Sequence, residues 1–538
     1  MSEFFIELFS EEIPANLQNK TRKDFFQNLK EFLEKEDIKY SGEATAFSIP
    51  NRLIVYFQNI SKKITKKENE IRGPNINAPE DALNGFLKSY KISLDKTYKK
   101  KTDKGEFYFF KKPSEIIETK FVLQKNLPKI LDKISWKKSM RWADHELYWG
   151  RPLKSILCCF DNKTLEFEYH HLVSSNITFI DKDFEQKTKK FVRFKDYLAF
   201  FKSQNIILDN KKREQFIVDQ LNRIAKKENL KIHFNSTLLN EVTNIVEKPN
   251  IIKCRFNKRF LEIPDDILVT TMQVHQKYFP TFDSRDNLTN NFFLVADNKD
   301  SKGLIKIGNE NVVEARLNDA KFFWDKNKTQ NLVKGISNLK KLSYFEGLGS
   351  YFEKIQRLRK LGALISDELL ISKEKVEIAS SICKVDLTSD LVNEFPELQG
   401  VMGGHFAKSQ GFDNDICLAI REHYLPTGPE TKTPKKPYSV TLAISDKLDT
   451  LSGFFAINLK PTSSRDPFAL RRSAIGLIRL IVENKLEIKL KDIINYSFSL
   501  FSEQDVNFDI KLAQQDLYRF ISDLSLIHIS EPTRPTPI

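Results

Sequence analysis

The side chains that could do chemistry are concentrated in Ser445–Leu480, SDKLDTLSGFFAINLKPTSSRDPFALRRSAIGLIRL. Asp446 and Asp449 stand three residues apart and therefore share one helix face. Leu448, Leu451, Phe454 and Phe455 form an apolar stripe beside them. Pro461–Asp466 interrupts the helix. Asp466 then reads as an N-cap and Pro467 as a first-turn residue of a second helix, which carries Arg471 and Arg472 ahead of Ile475, Leu477 and Ile478. Two chemistries are open to this segment. The acids could join Asp386, His405 and His423 around one or two metal ions and hydrolyse a phosphoester. Alternatively, polar and basic groups set in well-formed helices could serve as a docking surface. The adjacent His-Asp dipeptide used by one large class of metal phosphohydrolases occurs nowhere in the chain. That leaves the ligand set incomplete and favours docking. Arg471 and Arg472 suit phosphate neutralisation, but they equally suit ion pairs with Asp446 or Asp449.

The elements that must position these groups can be traced by apolar period. Residues 3–9 (EFFIELF) predict a strand, and Pro14–Leu33 a helix with Leu17, Phe25, Leu29 and Phe32 on one side. Thr45–Phe57 predicts a strand or hairpin turning at Pro50. Ile71–Pro74 (IRGP) reads as a break before a helix over Ala82–Tyr90. Further strands are expected at Phe107–Phe110, Ile156–Phe160, Ile251–Phe256 and Phe292–Val295. Further helices are expected at Val122–Ile134, Phe191–Phe201, Arg213–Lys227 and Pro264–Val274. From about Leu332 the strand signal fades and helices dominate. The fold class is therefore α+β: mixed N-terminal domains followed by an all-α region.

Composition narrows the function classes. The chain has 538 residues, room for roughly three or four domains. Its five cysteines, Cys158, Cys159, Cys254, Cys383 and Cys417, lack paired metal-binding spacing and read as reduced, buried thiols of a cytoplasmic protein. No apolar run is long enough to span a membrane. There is no phosphate-cradling glycine loop and no nucleophile with a base at usable spacing. Net charge is +14, which favours a polyanionic partner, nucleic acid first. Much of the excess lies in the first third, at Lys62, Lys63, Lys66, Lys67, Lys99–Lys101, Lys137, Lys138 and Arg141, although each cluster alone reads as a solvated face.

Several long motifs, in order, resemble the β subunit of bacterial heterotetrameric glycyl-tRNA synthetase. They are Phe5–Ala15 (FIELFSEEIPA), Ile71–Pro74, Met140–Trp142 with Arg151-Pro152, Thr271–Phe279 (TMQVHQKYF), Gly308–Glu310 with Glu314–Phe323 (EARLNDAKFF), Glu394–Gly403 (EFPELQGVMG), Arg421–Pro426 (REHYLP) and Asp446–Arg472. The resemblance implies an aminoacyl-tRNA ligase subunit that binds tRNA(Gly) and completes an α2β2 assembly. ATP and magnesium are expected on the α subunit, with no catalytic residue and no cofactor on this chain. It also implies that the helical domain is HD-like without its metal motif, so that Asp386, His423, Asp446 and Asp449 form a degenerate site, and that the region before it resembles a B3/B4-type module. Arg141, Arg465, Arg471 and Arg472 are the RNA-binding candidates. One departure falls after Asn176–Ile180 (NITFI), where Asp181–Asp183 (DKD) stands in place of the family's Gly-His pair.

The expected domains are 1–165 (α+β), 166–331 (mixed, B3/B4-like), 332–485 (HD-like, helical) and 486–523 (helical start of a C-terminal region). Leu524–Arg534 (LSLIHISEPTR) resembles a translated transposase sequencing adapter, so 524–538 reads as an artefactual, disordered tail in which His528 carries no function. Two other functions stay open: an HD-type metal-dependent phosphohydrolase, and a stand-alone RNA-binding protein.

Overall fold

The computed structural model describes residues 2–66, 68–180, 187–462 and 465–530. They fall into two compact units. One takes in the chain to Cys254 together with Lys277–Asn287 and Phe292–Lys306. The other holds Arg255–Gln276, Leu288–Asn291 and the described residues from Ile307 on.

The first unit is built on a five-stranded antiparallel sheet in the spatial order Lys163–Thr164, Leu153–Phe160, Ser2–Ser10, Arg52–Ile60, Ala44–Ile49. The run EFFIELF lacks polar alternation because its strand, at the sheet's centre, is covered on both faces. Phe4, Ile6 and Leu8 join Leu17, Phe25, Leu29 and Leu33 of the Ala15–Lys35 helix and Leu123, Leu127 and Ile130 of the Thr119–Asp132 helix. On the opposite face Phe5 joins Ile54, Tyr56, Leu157 and Cys159 beneath Phe194, Tyr197 and Phe201. Pro50 lies at the turn of the Ala44–Ile49/Arg52–Ile60 hairpin, as its position predicts.

Glu7 occupies that second face with no solvent exposure. Its carboxylate pairs with Arg52 at 2.9 Å and accepts from the hydroxyls of Thr178 and Tyr197. Arg52 also donates to Thr178 at 2.8 Å and lies over the rings of Phe9 and Phe201. Desolvation of the Glu7 carboxylate is thus answered by one cation and two hydroxyl donors.

Other expected elements are present with shifted ends: helices at Glu80–Tyr90, Phe194–Ser203 and Asn210–Lys227, and strands at Gly105–Lys112, Asn250–Arg255 and Leu288–Ala296. The expected break at Ile71–Pro74 is instead strand, Asn69–Asn75, on the edge of a three-stranded sheet. The Gly-Pro pair is tolerated because the register shifts between Arg72 and Asn75, where proline's missing N–H breaks no ladder. The five cysteines are free and buried.

In the second unit the helix Pro437–Ala456 is the hub, buried all round from Ser439 to Asp449. Around it pack Tyr351–Glu368, Lys373–Ile382, Asn414–Glu422, Leu470–Glu483, Leu490–Ser502 and Ile510–Ser530. Leu448, Leu451, Phe454 and Phe455 contribute to its core with Leu361, Leu477 and Phe498. The last helix runs on through Ser530, with Leu524 packed against this core; residues 531–538, the rest of the expected tail, lie outside the described residues. So do Asp181–Asp183, where the Asn176–Ile180 motif departs from the family pattern.

Arg52→Met removes the only cation paired with Glu7 among the described residues. It should lower unfolding free energy by about 3 kcal/mol, read as a shift in urea midpoint at unchanged slope.

Candidate functional site

Asp446 and Asp449 are buried, not presented to a partner. Opposite them, Lys354 and Arg357 stand at the same three-residue spacing on the Tyr351–Glu368 helix, so the two pairs meet in register. Arg357 grips Asp449 through Nε at 2.6 Å and Nη2 at 3.3 Å. Lys354 Nζ lies 2.8 Å from Asp449 Oδ2 and 3.5 Å from Asp446 Oδ1. Burial alone would raise both carboxyls. Arg357 and Lys354 outweigh it for Asp449, and Lys384 and Lys354 do so for Asp446, holding both below the ordinary carboxylate value.

Lys384 makes the decisive contact. Its Nζ is 2.7 Å from Asp446 Oδ1, 2.8 Å from His423 Nε2 and 3.8 Å from the centre of the Tyr424 ring. His423 Nδ1 sits 2.6 Å from the carbonyl of Ile420. That contact assigns the ring proton to Nδ1 and leaves Nε2 to accept from the lysine. Burial, then the charge of Lys384, pushes His423 down to about 3. Asp386 closes the group: its Oδ2 accepts from the N–H of Gly400 at 2.5 Å and of Gly403 at 3.1 Å. Gly400 has φ +79°, and a Cβ there would meet Tyr424 at 2.9 Å and His423 at 3.2 Å. A side chain would be both strained and blocked. Burial pushes Asp386 up to about 6, against the pull of those two amides.

The sequence-predicted group Asp386, His423, Asp446 and Asp449 is therefore brought together, but around ammonium and guanidinium groups. A divalent ion seeking His423 Nε2 and Asp446 Oδ1 would find both engaged by Lys384, with Lys354 adding a second positive charge. Among the described residues no three His, Cys, Asp or Glu side chains are placed to hold a metal. The phosphohydrolase alternative is not supported. His405 stands apart, 2.8 Å from Asp266 and 3.2 Å from Arg421.

Two expectations for the arginines are corrected. Arg471 and Arg472 do not pair with Asp446 or Asp449: Arg471 Nη2 donates to the carbonyl of Thr462 at 2.7 Å, and Arg472 is exposed. The helix also begins at Leu470, later than Pro467 suggests, because Ala469 takes a left-handed φ of 53°. Asp466 still caps it, accepting from the N–H of Leu470 and Arg471 at 2.8 and 3.0 Å. Arg141 and Arg465 are exposed. Several early lysines are neutralised locally: Lys62 by Asp161, Lys66 by Glu36 and Lys100 by Glu70. Lys67 lies outside the described residues. Sequence reasoning missed Lys354, Arg357 and Lys384. The first two carried a signal, since they interrupt the apolar stripe Ile355, Leu358, Leu361 and Ile365.

Against this network lies a cavity of about 650 Å³ bordered by Arg421, Tyr424, Asp446, Lys447, Thr450 and Arg472, among others. Burial pushes Lys447 down to about 8, partly offset by Asp446.

A family model described as glycyl-tRNA synthetase beta subunit matches residues 4–529. The chain is 36% identical to the glycine–tRNA ligase beta subunit of Rickettsia felis over 504 residues, 93% of this chain and 75% of that protein. It is 36% identical to the beta subunit of Rickettsia canadensis over 513 residues (95% and 76%), and 37% identical to that of Rickettsia prowazekii over 503 residues (93% and 74%).

Lys384→Met leaves Asp446 with Lys354 alone and should cost about 3 kcal/mol of stability at neutral pH, measured by denaturant unfolding. The acid side of the stability profile tests the two titrating groups against each other. His423 is held near 3 against an ordinary 6.5. The unfolded chain therefore takes up that proton first, and stability falls as pH drops below about 6.5. Asp386 is held near 6 against 3.8. There the folded chain binds the proton more tightly, and stability rises as pH drops from about 6 to about 4. The stability contributed by Asp446 and Asp449 persists until pH falls below about 4, where their unfolded-state counterparts begin to protonate. Asp386→Asn should thus lose more stability than the parent between about pH 6.5 and 4.5. Parallel profiles for parent and variant would refute the opposition.

Proposed function

The chain belongs to the glycyl-tRNA synthetase beta-subunit family, and from that premise we propose that it is the tRNA-binding subunit of an α2β2 glycine–tRNA ligase. The observation that carries this reading is the family match from residue 4 to residue 529. The α subunit would hold ATP and magnesium and form the glycyl-adenylate. This chain would bind tRNA(Gly) in the cytoplasm and complete the assembly. The helical region would be an HD-like domain whose metal position is filled by Lys384, a reading supported by the 2.7 and 2.8 Å contacts of that lysine. Residues 166–331 would be the B3/B4-like module.

A net charge of +14 suits a phosphate backbone, and Arg141 and Arg465, both exposed, would contribute to neutralising it. RNA shape and unpaired ends would supply specificity. Among the described residues no helix is long and apolar enough to cross a membrane.

Co-purification with the cognate α subunit, followed by charging of tRNA(Gly), tests the proposal. Glycylation is expected from the mixture and from neither chain alone. Charging by this chain without the α subunit, or no stimulation of the α subunit by it, would overturn the subunit reading.

A further inference from the structure

The helical unit contains a buried cation with no counter-ion. Lys447 is 8% exposed. Its ammonium donates to the main-chain carbonyls of Tyr424 at 3.0 Å and Pro426 at 3.1 Å, which leaves the third of its donors unspent. It forms no ion pair among the described residues. The neighbouring Asp446 is already engaged by Lys384 and Lys354. An unpaired charge held this deep is costly unless something compensates it. The fold nevertheless makes room for it: a Cβ at Gly476 would lie 2.9 Å from Lys447 Cε, so the glycine is the space the lysine stem occupies.

Lys447 borders the cavity of about 650 Å³, together with the exposed Arg472, whose guanidinium has no partner among the described residues. A second cavity of about 400 Å³ also borders Arg472 and Pro426 and adds Arg471 and Arg479. Tyr424 and Phe468 also border the first cavity. A buried ammonium and an outer guanidinium in one concave site with aromatic residues on its border suit a phosphate carried on a nucleoside.

We propose that the Lys447–Arg472 cavity binds the phosphate of a nucleotide, with Lys447 as the buried anchor and Arg472 as the outer clamp. The nucleotide is a free one, since a cavity of about 650 Å³ is of small-molecule size. The site stands on the geometry of the helical unit and not on the subunit reading.

Calorimetric titration of the full chain with AMP, with inorganic pyrophosphate and with a short RNA hairpin tests it. Direct binding of AMP or pyrophosphate, weakened about tenfold in Arg472→Ala and lost in Lys447→Met, supports a free nucleotide as ligand. Binding of the hairpin alone, with no response to AMP or pyrophosphate, overturns the free-nucleotide ligand and leaves only the RNA binding already proposed. Arg472 is exposed, so its variant keeps the test meaningful if Lys447→Met fails to fold. No binding of any probe, or binding unchanged in Arg472→Ala, overturns the inference. Glycylation with the α subunit, measured in parallel, shows whether the subunit reading survives such a failure.

Discussion

Two carboxylates inside a helix that is buried on every side impose the constraint that organises the second unit. Asp446 and Asp449 cannot remain ionised there without cations, and the cations must arrive in register. Lys354 and Arg357 do so because both helices use a three-residue spacing. A slide of either helix by one residue would turn a matched pair into two uncompensated charges. The apolar contacts of Leu361, Leu448 and Leu477 supply the attraction that brings the helices together. The charges select one alignment from the many that apolar packing would accept. Lys384 extends the same logic to a third element, since its contacts with Asp446 and His423 tie the chain beyond Ile382 to both the hub and the end of the Asn414–Glu422 helix.

The first unit solves a similar problem in a sheet. Glu7 points into one of the two covered faces and is answered by Arg52 on the adjacent strand, while the hydroxyls of Thr178 and Tyr197 donate to its carboxylate. In both units the buried acid lies on the most enclosed element, a central strand or a central helix. Its partners come from neighbours that must therefore take one position.

Elements were legible in the sequence where apolar period was strong. The double-covered strand at residues 3–9, the hairpin about Pro50 and the hub helix with its Leu448–Phe455 stripe all follow from spacing. The edge strand at Asn69–Asn75 was not legible, because Gly-Pro signals a break unless one knows that the register shift between Arg72 and Asn75 leaves no ladder bond for proline to break. The convergence of Asp386, His423, Asp446 and Asp449 could be suspected from residue type. Its pairing with particular cations could not, because Arg357 and Asp449 are 92 residues apart and no local period links them. The paired Arg471 and Arg472 drew attention by adjacency, yet the buried ion pairs went to residues with no such signature.

The position of Lys384 also bears on the routes open to the chain in evolution. Building a metal centre among these residues would require removing Lys384, relieving the second positive charge at Lys354 and supplying further ligands beside His423. Each change alone passes through a protein with an unmatched charge beside its buried hub helix, and such intermediates lose stability. The lysine thus acts as a lock: with both polar atoms it touches already engaged, no single substitution turns this network into a metal site.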